Sequence, residues 1–215
     1  MPWIEQLRSV NWSEAGGIFL AGYALGCFTT GYYLVRMRGG HDIRDLGSGS
    51  VGARNVGRLL GRQGFLVTVL GDFGKGALAV WAARHFALDH RLALLAALAV
   101  VAGHVWPVQL HFRGGKGMAT ALGALLVYDF RLALAVALLF GTTFAALRQT
   151  VLSGLLALAC LPLASWYLAQ GPTAVAGTAA LAGLVLVAHR QNLATEISDF
   201  LDRRTVHSRH DPPEL

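Results

Sequence analysis

The chain has 215 residues, of which 54% are hydrophobic and only 14% charged, and its mean hydropathy is +0.50. Soluble domains carry about 25% charged residues, so this composition excludes an ordinary soluble domain and indicates a membrane protein. The net charge of +6 is better explained by basic loops that face anionic lipid than by nucleic-acid binding. Both cysteines lie inside apolar runs and predict neither a disulfide framework nor a metal cluster.

Four apolar segments occupy most of the first 130 residues. A bilayer requires roughly 20 apolar residues per crossing helix, and three of the segments approach that length. The fourth is shorter, and its length fits a short or re-entrant helix as well as a full crossing. The segments are predicted over residues 16–35, 64–83, 92–110 and 118–130.

The second half of the chain contributes three more predicted spans. One covers residues 132–147, and residues 150–189 contain no Asp, Glu, Lys or Arg. That stretch is too long for a single crossing, and Gln170-Gly171-Pro172 is its natural break. The sequence therefore predicts an all-α polytopic membrane protein of about seven transmembrane helices with a short fourth helix. We interpret residues 1–215 as a single domain.

Lysine and arginine predict the orientation of the chain. With seven crossings, thirteen of these residues fall in one set of segments and four in the other, while Lys75 lies within a span. The positive-inside rule then predicts the N-terminus outside and the C-terminus and both glycine-rich loops in the cytoplasm. If the short segment does not cross, the sides exchange after it, but the first two loops remain cytoplasmic.

The segment between the first two spans, residues 41–58, is rich in glycine and arginine. Its Gly47-x-Gly49-x-x-Gly52 pattern matches a dinucleotide fingerprint, but a membrane span rather than a strand precedes it, so we reject that interpretation. Glycines let backbone N–H groups approach a ligand, and arginine binds phosphate through a planar fork of donors. We therefore predict an anion site rather than a flexible turn, with these substrate-binding or catalytic candidates: Gly47, Ser48, Gly49, Ser50, Gly52, Arg54, Asn55 and Arg58.

A second glycine-rich loop, residues 111–117, follows the third span. It places Lys116 directly after Gly114 and Gly115, and it lacks the pattern of a Walker A motif. A glycine-flanked lysine alone is weak evidence, because such turns are common at helix ends. Two basic glycine loops on one membrane face predict a ligand, or two ligands, with more than one phosphate.

Five polar side chains lie within or beside predicted spans. Asp72 and Lys75 share one helix face, and the pattern fits structural pairing and site electrostatics equally well. His104 is a candidate ligand contact, although a lone membrane histidine is more often a packing residue. His189 and Asn192 also share one face, which suits a polyol or a phosphate but also fits an interfacial polar belt. The sequence has neither a metal-binding motif nor a nucleophile elbow or H-x4-D signature, and predicts no metal or cofactor.

Taken together, the motifs resemble those of the bacterial acyl-phosphate:glycerol-3-phosphate acyltransferase (PlsY) family. The first family motif, G-S-G-N-x-G-A-T-N-V-x-R, is similar to residues 47–58, where Ser50 and Arg54 replace asparagine and threonine. The second, G-H-x-x-P followed by F-[KR]-G-G-K-G, is similar to residues 103–107 and 112–117. The third, H-R-x-N, is similar to residues 189–192, and a D-x-x-K-G segment occurs at residues 72–76.

The resemblance implies transfer of a fatty acyl group from acyl phosphate to glycerol 3-phosphate, which forms lysophosphatidic acid and phosphate. It also implies a multi-pass protein of the bacterial inner membrane with a cytoplasmic active site and no cofactor or nucleic-acid partner. The oligomeric state stays open, and a monomer is compatible with the sequence. By resemblance, the catalytic set is Ser48, Arg58, Lys116, His189 and Asn192, and residues 47–55 hold the acyl-phosphate head.

Two alternatives are also compatible with the sequence. One is a related enzyme that uses another acyl donor or another phosphorylated acceptor. The other is a transporter or a catalytically silent protein that binds phosphorylated ligands. Transporters favour broken helices around a site at the membrane midplane, whereas the polar motifs here gather at one surface, which favours an enzyme.

Overall fold

A computed structural model describes residues 11–86 and 90–208, with side chains described for residues 11–86 and 91–190. Every regular element in these ranges is a helix, which confirms the predicted all-α class. Two short 3-10 turns occur, at Ile43–Asp45 and Val108–Leu110. The α-helices, numbered in chain order, are α1 Trp12–Cys27, α2 Thr30–Gly39, α3 Ala53–Phe86, α4 His90–Val105, α5 Met118–Tyr128, α6 Phe130–Leu147, α7 Thr150–Ala159, α8 Leu161–Tyr167 and α9 Pro172–Ser208.

Six helical segments in the described ranges are long and apolar enough to cross a bilayer. They cover residues 12–39, 53–86, 91–110, 130–147, 150–167 and 172–190. Helix α5 is the predicted short fourth segment, with 11 residues. Large apolar side chains such as Leu70, Leu138 and Trp166 are exposed on the outer surface, as expected for side chains that face lipid. The described chain therefore contains the predicted segments in the predicted order.

The first predicted span, residues 16–35, is not a continuous helix. The predicted span is confirmed as a candidate crossing over residues 12–39, but it breaks at Phe28 and Thr29, between α1 and α2, and this break was not predicted. Side chains of α3 satisfy the backbone at the break. Lys75 Nζ donates to two carbonyl oxygens there, at 2.9 and 2.7 Å, and Asp72 Oδ1 accepts from the Thr30 backbone N–H and hydroxyl. Because these partners come from a distant helix, local sequence gives no signal of the break.

The second predicted span begins earlier than expected. Helix α3 starts at Ala53, so Arg54, Asn55 and Arg58 lie on its first turns and not in a loop as the composition suggested. Gly61 interrupts this helix with φ 68° and ψ −166°, a conformation that residues with a side chain rarely adopt. The interruption separates the basic first turns from the membrane-spanning remainder.

Helices α1 and α4 run parallel and approach through glycines. A Cβ atom added to Gly26 would lie 2.2 Å from the Val100 carbonyl oxygen, and one added to Gly103 would lie 2.1 Å from the Tyr23 carbonyl oxygen. Such contacts leave no space for a larger residue, and small residues at helix crossings are typical of membrane proteins. The contact fixes the end of α4, where His104 lies.

The short helix α5 reaches the end of the bundle opposite the glycine-rich loops. Arg84, at the end of α3, donates to the carbonyl groups of Val127 and Tyr128, and Gln170 donates to Asp129. Eleven helical residues extend only about 16 Å, roughly half of the hydrocarbon thickness of about 30 Å. The cavity described below lies at the start of α5, in the depth that this short helix leaves open.

The apolar stretch 150–189 contains two breaks. The predicted one at Gln170 and Gly171 is confirmed, and α9 begins at Pro172. A second, unpredicted break at Cys160 separates α7 from α8 and is followed closely by Pro162, whose ring disfavours a continuous helix. Helix α9 continues beyond the apolar stretch to Ser208.

Two hydrophobic clusters position the loops. The larger occupies the centre of the bundle. The smaller lies beneath the first glycine-rich loop and anchors it to α2, α3 and the turn after α4. Its buried members are Val35, Ile43, Val51, Val56 and Leu110.

Candidate active site

A cavity of about 540 Å³ lies at the end of the bundle where the two glycine-rich loops meet α9. Its lining is polar where the loops, the first turns of α3 and the α9 segment near His189 contribute, and apolar where α3, α5, α6 and α7 contribute. The polar side includes Ser48, Ser50, Arg54, Asn55, Arg58, Asp72, His104, Lys116 and His189. The apolar side includes Phe65, Val69, Met118, Leu122, Val136, Phe140 and Val151.

Most of the side chains singled out in the sequence meet in this cavity. The structure brings together the predicted lining residues Ser48, Ser50, Gly52, Arg54, Asn55, Arg58, His104, Lys116 and His189. Four predicted glycines do not line it, namely Gly47, Gly49, Gly114 and Gly115. They shape the two loops instead. Asn192 lies on α9 three residues after His189, and its side chain is outside the described residues.

Asn55 holds the first loop from its centre. The side chain is 1% exposed, and its amide nitrogen donates to the carbonyl oxygens of Leu46 and Ser50 at 2.9 and 3.0 Å. Its amide oxygen accepts from the Ser48 backbone N–H at 3.0 Å. An amide fits because it offers donors and an acceptor in one plane. These bonds with the loop backbone show that Asn55 organises the loop.

Gly47 is required by this arrangement. Its φ of 58° is in the left-handed region, and an added Cβ would lie 2.2 Å from the Asn55 amide oxygen. A side chain at this position would displace the amide on which the loop is built. The glycine pattern therefore reflects loop geometry as well as access for a ligand.

The loop leads into the N-terminus of α3. Ser50 Oγ accepts from the Gly52 N–H at 3.2 Å, which closes a turn before Ala53. Gly52, Ala53 and Arg54 all line the cavity. A helix N-terminus carries partial positive charge, so this geometry favours an anion beside the arginines.

Arg44 is a structural residue that the sequence did not single out. It pairs with Asp42, donates to the Leu110 carbonyl oxygen at 2.7 Å and lies over the Tyr32 ring. Hydrogen bonds from Arg44 hold the pKa of the Asp42 carboxyl below its usual value. Arg44 therefore ties the first loop to the turn after α4, and its proximity to Asp42 at i+2 was the only sequence signal.

The second loop folds against the end of α4. The Gly114 and Gly115 N–H groups donate to the carbonyl oxygens of Val105 and His104, at 3.1 and 3.0 Å. A Cβ on Gly115 would lie 2.1 Å from His104 Nε2, so only glycine leaves room for the imidazole. The following residue, Lys116, is thereby directed into the cavity.

The Asp72–Lys75 pair has a structural role at the helix break. Both side chains are buried, and Lys75 Nζ lies 3.3 Å from Asp72 Oδ1. The pair also reaches the cavity, because Lys75 Nζ lies 2.8 Å from His104 Nδ1, and both Asp72 and His104 line the cavity. Structural pairing and site electrostatics, the two interpretations that the sequence left open, therefore both apply to this connected group of side chains.

His189 is positioned by its own helix. Its Nδ1 lies 2.8 Å from the Val185 carbonyl oxygen, one turn earlier on α9. A carbonyl oxygen only accepts, so Nδ1 carries the hydrogen, and Nε2 of the neutral ring is an acceptor. Within the described residues, no group of three or more His, Cys, Asp or Glu side chains is arranged to hold a metal ion.

Comparison with known proteins gives consistent matches. The family model of glycerol-3-phosphate acyltransferase matches residues 17–198. Glycerol-3-phosphate acyltransferase 1 of Desulfitobacterium hafniense (strain Y51) is 46% identical over 195 residues, which cover 89% of this chain and 96% of the relative. The enzyme of Gloeobacter violaceus is 40% identical over 189 residues, covering 86% of this chain and 92% of the relative.

Two solved structures have a similar fold. Both are crystal structures of PlsY, an integral membrane glycerol 3-phosphate acyltransferase. The glycerol 3-phosphate form matches with a TM-score of 0.79 and 30% identity, and the lysophosphatidic acid form with 0.76 and 28%. Each match covers 86% of this chain and 93% of the other chain.

Proposed function

Because this chain belongs to the glycerol-3-phosphate acyltransferase family, we propose that it transfers a fatty acyl group from acyl phosphate to glycerol 3-phosphate. The products are 1-acylglycerol 3-phosphate, which is lysophosphatidic acid, and inorganic phosphate. The PlsY structures with glycerol 3-phosphate and lysophosphatidic acid support the acceptor and the product. The match over residues 17–198 supports the interpretation of the chain as one domain.

The cavity is the observation that carries this proposal. It combines three cations, Arg54, Arg58 and Lys116, with an apolar wall built by four helices. A soluble dianion such as glycerol 3-phosphate requires only the cations, and a hydrocarbon chain requires only the apolar wall. A cavity with both suits a reaction in which an acyl chain and a phosphate meet.

The first loop and the start of α3 are proposed to hold the phosphate of the acyl donor. Ser50 and Gly52 place the turn, and the N-terminal backbone of α3 and Arg54 provide positive potential beside it. The acyl chain then extends along the apolar side, past Phe65 and Leu122. Asn55, Gly47 and Gly49 contribute by holding the loop in shape, and Gly114 and Gly115 do the same for Lys116.

The proposed reaction is a direct acyl transfer. The C1 hydroxyl oxygen of glycerol 3-phosphate attacks the acyl carbonyl carbon, the new ester C–O bond forms, and the bond from that carbon to the phosphate oxygen breaks. The leaving phosphate accepts the hydroxyl proton. Arg58 and Lys116 hold the phosphates in position and neutralise the charge that develops, and Ser48 contributes a hydroxyl to the same polar side.

His189 is proposed to orient the attacking hydroxyl. With Nδ1 committed to the Val185 carbonyl oxygen, its Nε2 lone pair is available to accept a hydrogen bond from that hydroxyl. Asn192 follows on the same helix face, and we propose that its amide contacts the same substrate.

The cavity end of the bundle is proposed to face the bacterial cytoplasm, in the inner membrane. Within the described residues, the basic side chains collect at that end, and few lie at the other. The cavity end has Arg36, Arg38, Arg44, Arg54, Arg58, Arg62, Arg113, Lys116, Arg148 and Arg190; the opposite end has Arg84, Arg91 and Arg131. The positive-inside rule then places the cavity toward soluble glycerol 3-phosphate in the cytoplasm.

The test uses the purified protein with labelled glycerol 3-phosphate and either palmitoyl phosphate or palmitoyl-CoA. We expect labelled lysophosphatidic acid with palmitoyl phosphate and release of one phosphate per product. Formation of product with palmitoyl-CoA but not with palmitoyl phosphate would show that the proposed acyl donor is wrong. If neither donor gives product, the proposed enzyme activity is wrong.

A further inference from the structure

The ammonium group of Lys75 has four acceptors around it. Its Nζ lies 2.9 Å from the Gly26 carbonyl oxygen, 2.7 Å from the Phe28 carbonyl oxygen and 2.8 Å from His104 Nδ1. Asp72 Oδ1 lies 3.3 Å away and supplies the compensating negative charge. The side chain is buried, so these protein groups rather than water form its surroundings.

The number of hydrogens decides the proton arrangement of His104. A charged lysine has three N–H donors and no acceptor. The three shortest contacts are with the two carbonyl oxygens at the helix break and with His104 Nδ1, and because the ammonium cannot accept, Nδ1 must be without a hydrogen. A neutral imidazole that accepts at Nδ1 carries its hydrogen at Nε2. The nearby Asp72 carboxylate stabilises the charged lysine on which this count depends.

The protonated edge of His104 faces the second glycine-rich loop. Nε2 contacts Gly115, where an added Cβ would lie 2.1 Å from it, and His104 lines the cavity beside Lys116. The contacts of His104 with Lys75 and Asp72 are made through Nδ1, on the opposite edge of the ring. The Nε2–H is therefore a donor on the polar side of the cavity, where a ligand would bind.

We propose that His104 is a fixed Nε2–H donor to a phosphate oxygen of the bound substrate, and that Lys75 and Asp72 are positioning residues that enforce this tautomer. The nature of the ligand rests on the function proposed above. The tautomer does not, because it follows from the contacts of the protein alone. Since the ring is neutral, it adds a directed donor without adding a third charge to the Asp72–Lys75 pair.

The direct test is nitrogen NMR of the protein with ¹⁵N-labelled histidine in lipid nanodiscs at pH 7, with His104 assigned by its loss in His104→Gln. We expect the His104 Nε2 resonance in the protonated range and Nδ1 in the unprotonated range. A reversed tautomer, a mixture of tautomers or an imidazolium would overturn the assignment. Addition of glycerol 3-phosphate or inorganic phosphate should shift Nε2, and no shift at saturation would overturn the ligand contact.

Kinetics of acyl transfer provide the second test. His104→Gln keeps an amide donor near Nε2 and should retain activity within about tenfold, whereas His104→Leu should lose about a hundredfold in kcat/KM. Equal losses in both variants would contradict a donor role. Lys75→Met removes two contacts at the helix break as well as the group that sets the His104 tautomer. Its loss of activity must therefore be distinguished from misfolding.

A double-mutant cycle makes that separation. If Lys75 acts through His104, the loss caused by Lys75→Met should be at least about tenfold smaller in the His104→Leu background than in the wild type. Purely additive losses would show that Lys75 only supports the fold. If no acyl donor supports transfer, the NMR measurement still decides the tautomer, so failure of the proposed function and failure of this inference are distinguishable.

Discussion

His104 and His189 line the same cavity and are similarly buried, at 3% and 5% exposure, yet their partners impose opposite proton arrangements. His104 Nδ1 faces an ammonium group and must accept, whereas His189 Nδ1 faces a carbonyl oxygen and must donate. The other ring nitrogen, Nε2, is consequently a donor in His104 and an acceptor in His189. One residue type thus has a donor nitrogen in one case and an acceptor nitrogen in the other, as the roles proposed above require, and the group behind the ring determines which.

The largest effect should come from Arg58 and Lys116, the cations that line the cavity together with both histidines. We expect Arg58→Ala and Lys116→Ala each to lower the rate of acyl transfer about a thousandfold, because neither histidine can replace a charge that holds phosphate. The rate is measured by the formation of labelled lysophosphatidic acid. Recovery of folded protein from the membrane fraction in detergent shows that each variant still inserts. Arg62→Ala is the matched control, since Arg62 lies on the same helix without lining the cavity. Near-normal activity in both variants would refute the site.

The acceptor role of His189 should appear mainly in kcat. His189→Phe removes the acceptor and should lower kcat about a hundredfold with a smaller change in KM for glycerol 3-phosphate. His189→Gln offers an amide oxygen and should recover part of that loss. If His189→Phe changed only KM, His189 would bind substrate without orienting the attacking hydroxyl, and the contrast with His104 would be lost.

Gly115→Ala tests the His104 environment without touching His189. The added Cβ would lie 2.1 Å from His104 Nε2, so the ring or the loop that bears Lys116 must shift. We expect kcat/KM to fall about tenfold, the His104 nitrogen resonances to move and those of His189 to stay. Gly74→Ala is the control, because its Cβ would meet nothing within 4 Å. Equal effects of the two variants would argue against steric contact at His104.

The smallest effect should come from Asp42, an ion-paired residue outside both histidine environments. The pKa of its carboxyl is lowered in the folded protein, so its stabilising contribution is present at neutral pH and is lost as the pH falls below the ordinary value. Asp42→Asn should therefore lower the stability at pH 7 by less than about 1 kcal/mol, measured as a small decrease in Tm, and its difference from the wild type should shrink as the pH falls below the ordinary carboxyl pKa. A large loss of activity at pH 7 would show that the Arg44 anchor controls the site.

Much of the site could be predicted because its residues are local in sequence. The pattern of glycine, serine and arginine in residues 47–58 predicted one anion-binding loop, and residues 113–117 predicted the other. Their meeting in one cavity was an inference from the shared membrane face, and the structure confirms that their side chains meet. The boundary of α3 was predicted less well, because a basic, glycine-containing segment was mistaken for loop although Arg54 and Arg58 are helical.

The sequence by itself determined the class of fold, the order of the apolar segments and the identity of the cations, because hydropathy and composition act locally. The break between α1 and α2 and the short α5 below the cavity depended on how the helices pack. The same holds for the histidines. His189 bonds within its own helix, but His104 faces Lys75 from another helix. The tautomer of a buried imidazole is set by whichever group lies behind it, and for His104 only the tertiary structure decided that group.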